Sequence, residues 1–165
     1  MGTSFVSIGD RGFWMRDGIL ELWLRLVALQ IEEPTSDDSV AYTIRDQWLL
    51  ASRGYFGGCV PVGMDAAVST PEGKKVVIDA VVSLRTKLLA APATIDHHAL
   101  NLLGFDSPFE VPMASWRLIE VSNAVSALLD GKITTDASST AFMPGCGKEP
   151  IQSITDQRAS RVADC

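Results

Sequence analysis

Between Phe13 and Glu32 the chain carries a single narrow polar stripe. Asp17, Glu21 and Arg25 recur every four residues, and Trp14, Ile19, Leu22, Trp23, Leu26, Val27 and Leu29 cover most of the remaining circumference of a helix. Such a helix has to be surrounded, so the rest of the chain must wrap it. The stretch is about long enough to cross a bilayer, but Arg16, Asp17, Glu21 and Arg25 interrupt it. Those charges point to a buried helix of a soluble domain, with Glu21 and Arg25 spaced for an i,i+4 pair. Glu32-Glu33-Pro34 ends it, because the residue before a proline is pushed out of the helical region.

With 165 residues, 47% of them hydrophobic and 21% charged, the chain has enough apolar material for one domain with a full core. A second helix starts near Asp38 or Ser39, both good N-caps, and runs through Ile44, Trp48 and Ala51 to Gly54. Tyr55 to Ser69 holds Gly57, Gly58, Pro61 and Gly63 without clear periodicity and reads as an ordered loop, long enough to suggest a function. Thr70-Pro71-Glu72 joins a hydroxyl cap, a proline at the first helical position and an acid near the positive end of the dipole. The helix that follows places Val77, Ala80, Val81, Leu84 and Leu88 on one face and closes with Arg85 and Lys87 before Pro92.

Thr94 caps a short helix through Ile95, Leu102 and Leu103 that ends at Gly104. Met113 to Asp130 turns Leu118, Val121, Val125, Leu128 and Leu129 inward, and Gly131 stops it. Beyond Lys132 the hydroxyl residues Thr134, Thr135, Ser138, Ser139 and Thr140 read as solvated, with only Phe142 and Met143 able to dock on a core. The expected fold class is therefore all-α: about five helices in a single compact bundle over residues 1–144, no convincing strand pair, and a flexible, poorly ordered C-terminal tail over 145–165.

The chain carries few of the residue patterns that mark catalysis. Gly145-Cys146-Gly147-Lys148 lacks the first glycine and the final hydroxyl of a phosphate-binding loop, and the glycines of the 55–63 loop lack dinucleotide spacing. Neither a G-x-S-x-G elbow nor H-E-x-x-H occurs. His97 and His98 are adjacent, which on a helix turns them about 100° apart and predicts that they do not share a metal. Cys59, Cys146 and Cys165 make an odd count without a C-x-x-C pair, so no disulfide framework is implied and a reducing cytoplasm is the simplest compartment. Met1 to Asp10 has neither the basic start nor the apolar stretch of a signal peptide.

Charge carries more information. Fourteen basic and 20 acidic side chains give a net charge of −6, which argues against unaided binding to nucleic acid or an anionic membrane. Residues 132–165 are neutral as a group, so the excess lies in the helical body. Glu32, Glu33, Asp37 and Asp38 fall between Arg25 and Arg45 with no cation among them, and a second cation-free stretch carries Asp96, Asp106 and Glu110. Such acids usually cap helices; at exposed junctions they also suit a binder of a basic protein. The run Arg45 to Gly54 leads into Tyr55 and Phe56: Trp48 fills a core, and the two rings beyond it can anchor a partner.

One resemblance bears on this. The runs Arg45-Asp46-Gln47-Trp48-Leu49-Leu50-Ala51-Ser52-Arg53-Gly54, Phe56-Gly57-Gly58-Cys59-Val60-Pro61, Ser69-Thr70-Pro71-Glu72-Gly73-Lys74-Lys75, Asn101-Leu102-Leu103-Gly104 and Thr134-Thr135-Asp136-Ala137-Ser138 are similar to small helical immunity proteins. Such proteins are encoded beside polymorphic toxins, as in bacterial contact-dependent growth inhibition. The resemblance spans roughly residues 40–144 and implies a cytoplasmic, non-enzymatic protein that neutralises one cognate toxin C-terminal domain, often a nuclease. No cofactor and no metal are expected from the motifs, and the acidic charge predicts no direct nucleic-acid or membrane contact. Charge placement then nominates Glu32, Glu33, Asp37 and Asp38 as the first contact patch, Asp106 and Glu110 as the second, and Tyr55 and Phe56 as anchors. The alternatives are a small enzyme with Cys59 or a histidine under the glycine-rich loop at 54–63, and a helical scaffold or regulatory subunit.

Overall fold

The structure is a computed structural model that describes residues 2–32, 39–54, 59–105 and 107–147. It begins with an antiparallel hairpin of β1 (Thr3–Ile8) and β2 (Arg11–Arg16), turned through Gly9 and Asp10. The expected all-α bundle is thus corrected to a mixed α/β fold with two small antiparallel sheets. The physical reason is visible in the alternation: Val6, Phe13 and Met15 are buried while Phe5 and Trp14 pair on the other face, ring centres 5.2 Å apart. Gly9, at φ +62°, supplies the left-handed backbone that the two-residue turn needs.

The apolar stretch that predicted one long helix is therefore divided. Its first residues form β2, and α1 (Asp17–Ala28) begins only after Arg16. From there the periodicity holds, with Ile19, Leu20, Leu22, Trp23, Leu24, Val27 and Ala28 buried. Helices α2 (Val40–Ala51), α3 (Met64–Ala67), α4 (Pro71–Ala90), α5 (His97–Asn101) and α6 (Ser115–Leu129) complete the set. α1 packs against α2, and α4 against α6. Trp23 and Trp48 meet at the centre with ring centres 6.4 Å apart. Each indole N–H is satisfied, Trp23 donating to Ser122 Oγ at 3.0 Å and Trp48 to the Val62 carbonyl at 2.8 Å. Among the described residues no helix is long and apolar enough to cross a membrane.

Two expected helix starts move. Thr94 and Ile95 form β3, paired with β4 (Met113–Ala114), and the acid Asp96 caps α5 by accepting the His98 amide at 2.7 Å. α6 begins two residues later than its pattern suggested, because Met113 and Ala114 are held in that pairing. Elsewhere the capping chemistry is as read: Ser39 accepts from Tyr42 and Thr70 from Gly73, both at 3.0 Å. Replacing Thr70 with alanine should lower stability by about 1 kcal/mol, and Thr70→Ser should restore most of it. Urea denaturation with an unchanged slope is the check.

The hydroxyl-rich residues after Lys132 are not simply solvated. Gly12 donates to the Thr135 carbonyl at 2.9 Å, Trp14 donates to Phe142 at 3.1 Å, and the Trp14 indole donates to Ala137 at 3.0 Å. Residues 135–142 thus lie as a strap along the outer edge of β2, with the Phe142 ring edge-on to Phe13. The strap's turn is set by Asp136, whose carboxylate accepts from Ser138 and Ser139; those bonds hold its carboxyl below the usual range. Gly145, the first residue of the expected tail, is buried: its amide donates to Glu120 at 2.7 Å and its carbonyl accepts from Arg117 at 2.9 Å. From residue 148 onward the expected tail lies outside the described residues.

Candidate functional site

Among the described residues, three concave features lie along α1 or beyond its end, and they differ in charge. The first is a groove of about 450 Å³ beyond its carboxyl-terminal end, between residues 30–32, the start of α2 and α4. Glu32 and Asp79 stand on it, over a floor that includes Ile31, Ala41, Val76 and Ala80. The sequence placed Glu32 in a contact patch, and the structure shows it exposed. Asp79, which the sequence did not single out, pairs with Lys75 one turn before it on α4. Lys87, the other cation near this end, donates to the Gln30 side chain at 2.6 Å. The carboxyl end of α1 adds its own negative potential to the groove.

The second feature is a cleft of about 270 Å³ where the residues flanking two sequence-predicted segments meet. Arg53 and Gly54, which lead into Tyr55 and Phe56, face Phe105 and Ser107, which bracket Asp106. Glu21 lines the same cleft. The Arg25 guanidinium lies over the Phe105 ring at 5.5 Å. Burial, and secondarily the nearby Arg53, lowers the pKa of Arg25 from its ordinary value. Glu33, Asp37, Asp38, Tyr55, Phe56 and Asp106 themselves lie outside the described residues.

Glu110 is exposed, between Phe109 and Val111, which line the third feature, a cavity of about 530 Å³ at the amino-terminal end of α1. Arg16 and Arg117 are on its wall. Among the described acids of the two patches, Glu32 and Glu110 therefore stand toward opposite ends of a helix about 18 Å long.

The histidines depart from their predicted separation. At the first turn of α5 their rings stack with centres 4.0 Å apart, and one ligand atom each from Asp96, His97 and His98 lies within 4.8 Å of the others. Cys59 is exposed as a free thiol within the glycine-rich loop.

Together these features define the class: a mixed α/β domain whose central helix has an acidic groove at one end and an arginine-flanked cavity at the other. The chain matches no family model, no curated protein and no solved structure.

Proposed function

We propose that this chain is an immunity-type protein that neutralises a toxin domain by covering its basic, substrate-binding surface. The observation that carries the reading is the groove in which Glu32 and Asp79 share an apolar floor at the negative end of α1. Its chemistry suits a Lys or Arg side chain, whose aliphatic stem lies on the floor while its charge meets the two carboxylates. Lys75 already neutralises Asp79, but that pair is exposed on both sides and an incoming cation can replace it at little cost. The net charge of −6 steers a basic partner toward this protein before contact. A nuclease domain needs such a basic surface for its own substrate, so covering it blocks activity.

The test is to see whether an adjacent reading frame encodes a large secreted protein with a variable C-terminal domain, and to co-express this chain with that domain. Co-purification and protection from that domain are expected, and failure of both would refute the reading. In the purified pair, Glu32→Gln with Asp79→Asn should slow association by about tenfold at low salt and flatten its salt dependence. Unchanged kinetics would remove this groove from the interface.

A further inference from the structure

The cavity at the amino-terminal end of α1 has a different chemistry from the acidic groove. Ile19, Phe109, Val111 and Met113 give it an apolar wall, and Arg16 and Arg117 give it cations. Its volume, about 530 Å³, is that of a pocket for a small molecule. Two helices start on its wall, α1 after Arg16 and α6 after Ala114, and no side chain caps either one. Among the described residues the first amide of each is taken up by the main chain, Asp17 donating to Gly2 and Ser115 to Ala93. Both positive dipole ends thus reinforce the guanidinium charge.

The charge count sets the valence of the ligand. Asp17 also lines the cavity, and one of its oxygens accepts the Ser4 hydroxyl at 2.7 Å. Two guanidiniums against one carboxylate leave a single positive charge among the lining side chains. Arg117 is held in place from two sides, by its bond to the Gly145 carbonyl and by the Trp116 ring 5.2 Å away, which leaves its other N–H groups to donate. Arg16 is exposed at the rim.

From this geometry we infer that the cavity binds a small monocarboxylate with an aromatic or branched aliphatic body, its carboxylate between Arg16 and Arg117 and its body on the apolar wall. The site is separate from the acidic groove and does not depend on the proposed partner. The test uses the full chain and 3-phenylpropionate, followed by calorimetry and ligand-observed NMR, with 3-phenylpropanol as the uncharged control. Saturable binding of the acid is expected, at least about tenfold tighter than the alcohol. Arg16→Gln should weaken the acid by a similar factor and leave the alcohol unchanged, which also shows that the variant is folded. Val111→Trp should weaken both by filling the cavity. Absence of saturable acid binding, equal affinity for acid and alcohol, or an Arg16→Gln variant that binds the acid as before would each overturn the assignment.

Discussion

Trp23→Ala should destabilise the protein by about 3–5 kcal/mol, the cost of removing a large ring from a closed core. Against a typical total of about 5–15 kcal/mol, a loss of that size leaves a large unfolded fraction at 37 °C. Trp23 is fully buried, it meets Trp48, and it bonds to Ser122 on α6, so one side chain joins α1, α2 and α6. Trp23→Phe separates the two contributions. Most of the apolar mass stays, but the Ser122 oxygen loses its donor while still donating to the Leu118 carbonyl, and a cost of about 1–3 kcal/mol is expected. Denaturant midpoints for the two variants should rank in that order. Equal values would mean that the core relaxes around the missing ring.

Gly12→Ala is the second large effect, at about 3 kcal/mol, the upper end of the penalty for overpacking. A Cβ there would stand 2.0 Å from the Val6 carbonyl oxygen and 2.9 Å from the Ser7 Cα. Both are main-chain atoms of the paired strand and cannot swing aside as a side-chain end can. Moving them also disturbs the Gly12 amide, which holds Thr135 in the strap. Gly18→Ala is the matched control: nothing lies within 4 Å of its added Cβ, and the helical site should gain about 0.5–1 kcal/mol. Thermal melts moving in opposite directions for one and the same chemical change would confirm that the cost at Gly12 is steric.

The helices were legible where a cap, a repeating face and a stop coincided. Thr70 with Pro71, the buried series Val77 to Leu88, and Gly131 at φ +70° are written locally and were read locally. The hairpin is not legible locally because Phe13-Trp14-Met15-Arg16 fits a period of 2 as well as one of 3.6, and its strand partner lies before the apolar stretch. Thr94 has the chemistry of a cap, but Asp96 takes that role once Thr94 is paired with Ala114. The candidate site was less legible than the fold. Glu32 was found by its charge, whereas Asp79 reaches the same groove only through packing of α1, α2 and α4, which no local spacing encodes.

The strap along β2 has a consequence for how the protein is made. Gly12 and Thr135 are bonded to each other across 123 positions of sequence. A hairpin such as β1–β2 closes in about 1–10 μs, whereas a ribosome adding about 5–20 residues per second takes about 6–25 s to travel from one of these residues to the other. Throughout that interval the nascent chain presents the Gly12 and Trp14 amides as an open strand edge, available to chaperones or to a neighbouring nascent chain. The time for which this edge stays open is thus set by the rate of synthesis and not by the stability of the finished fold.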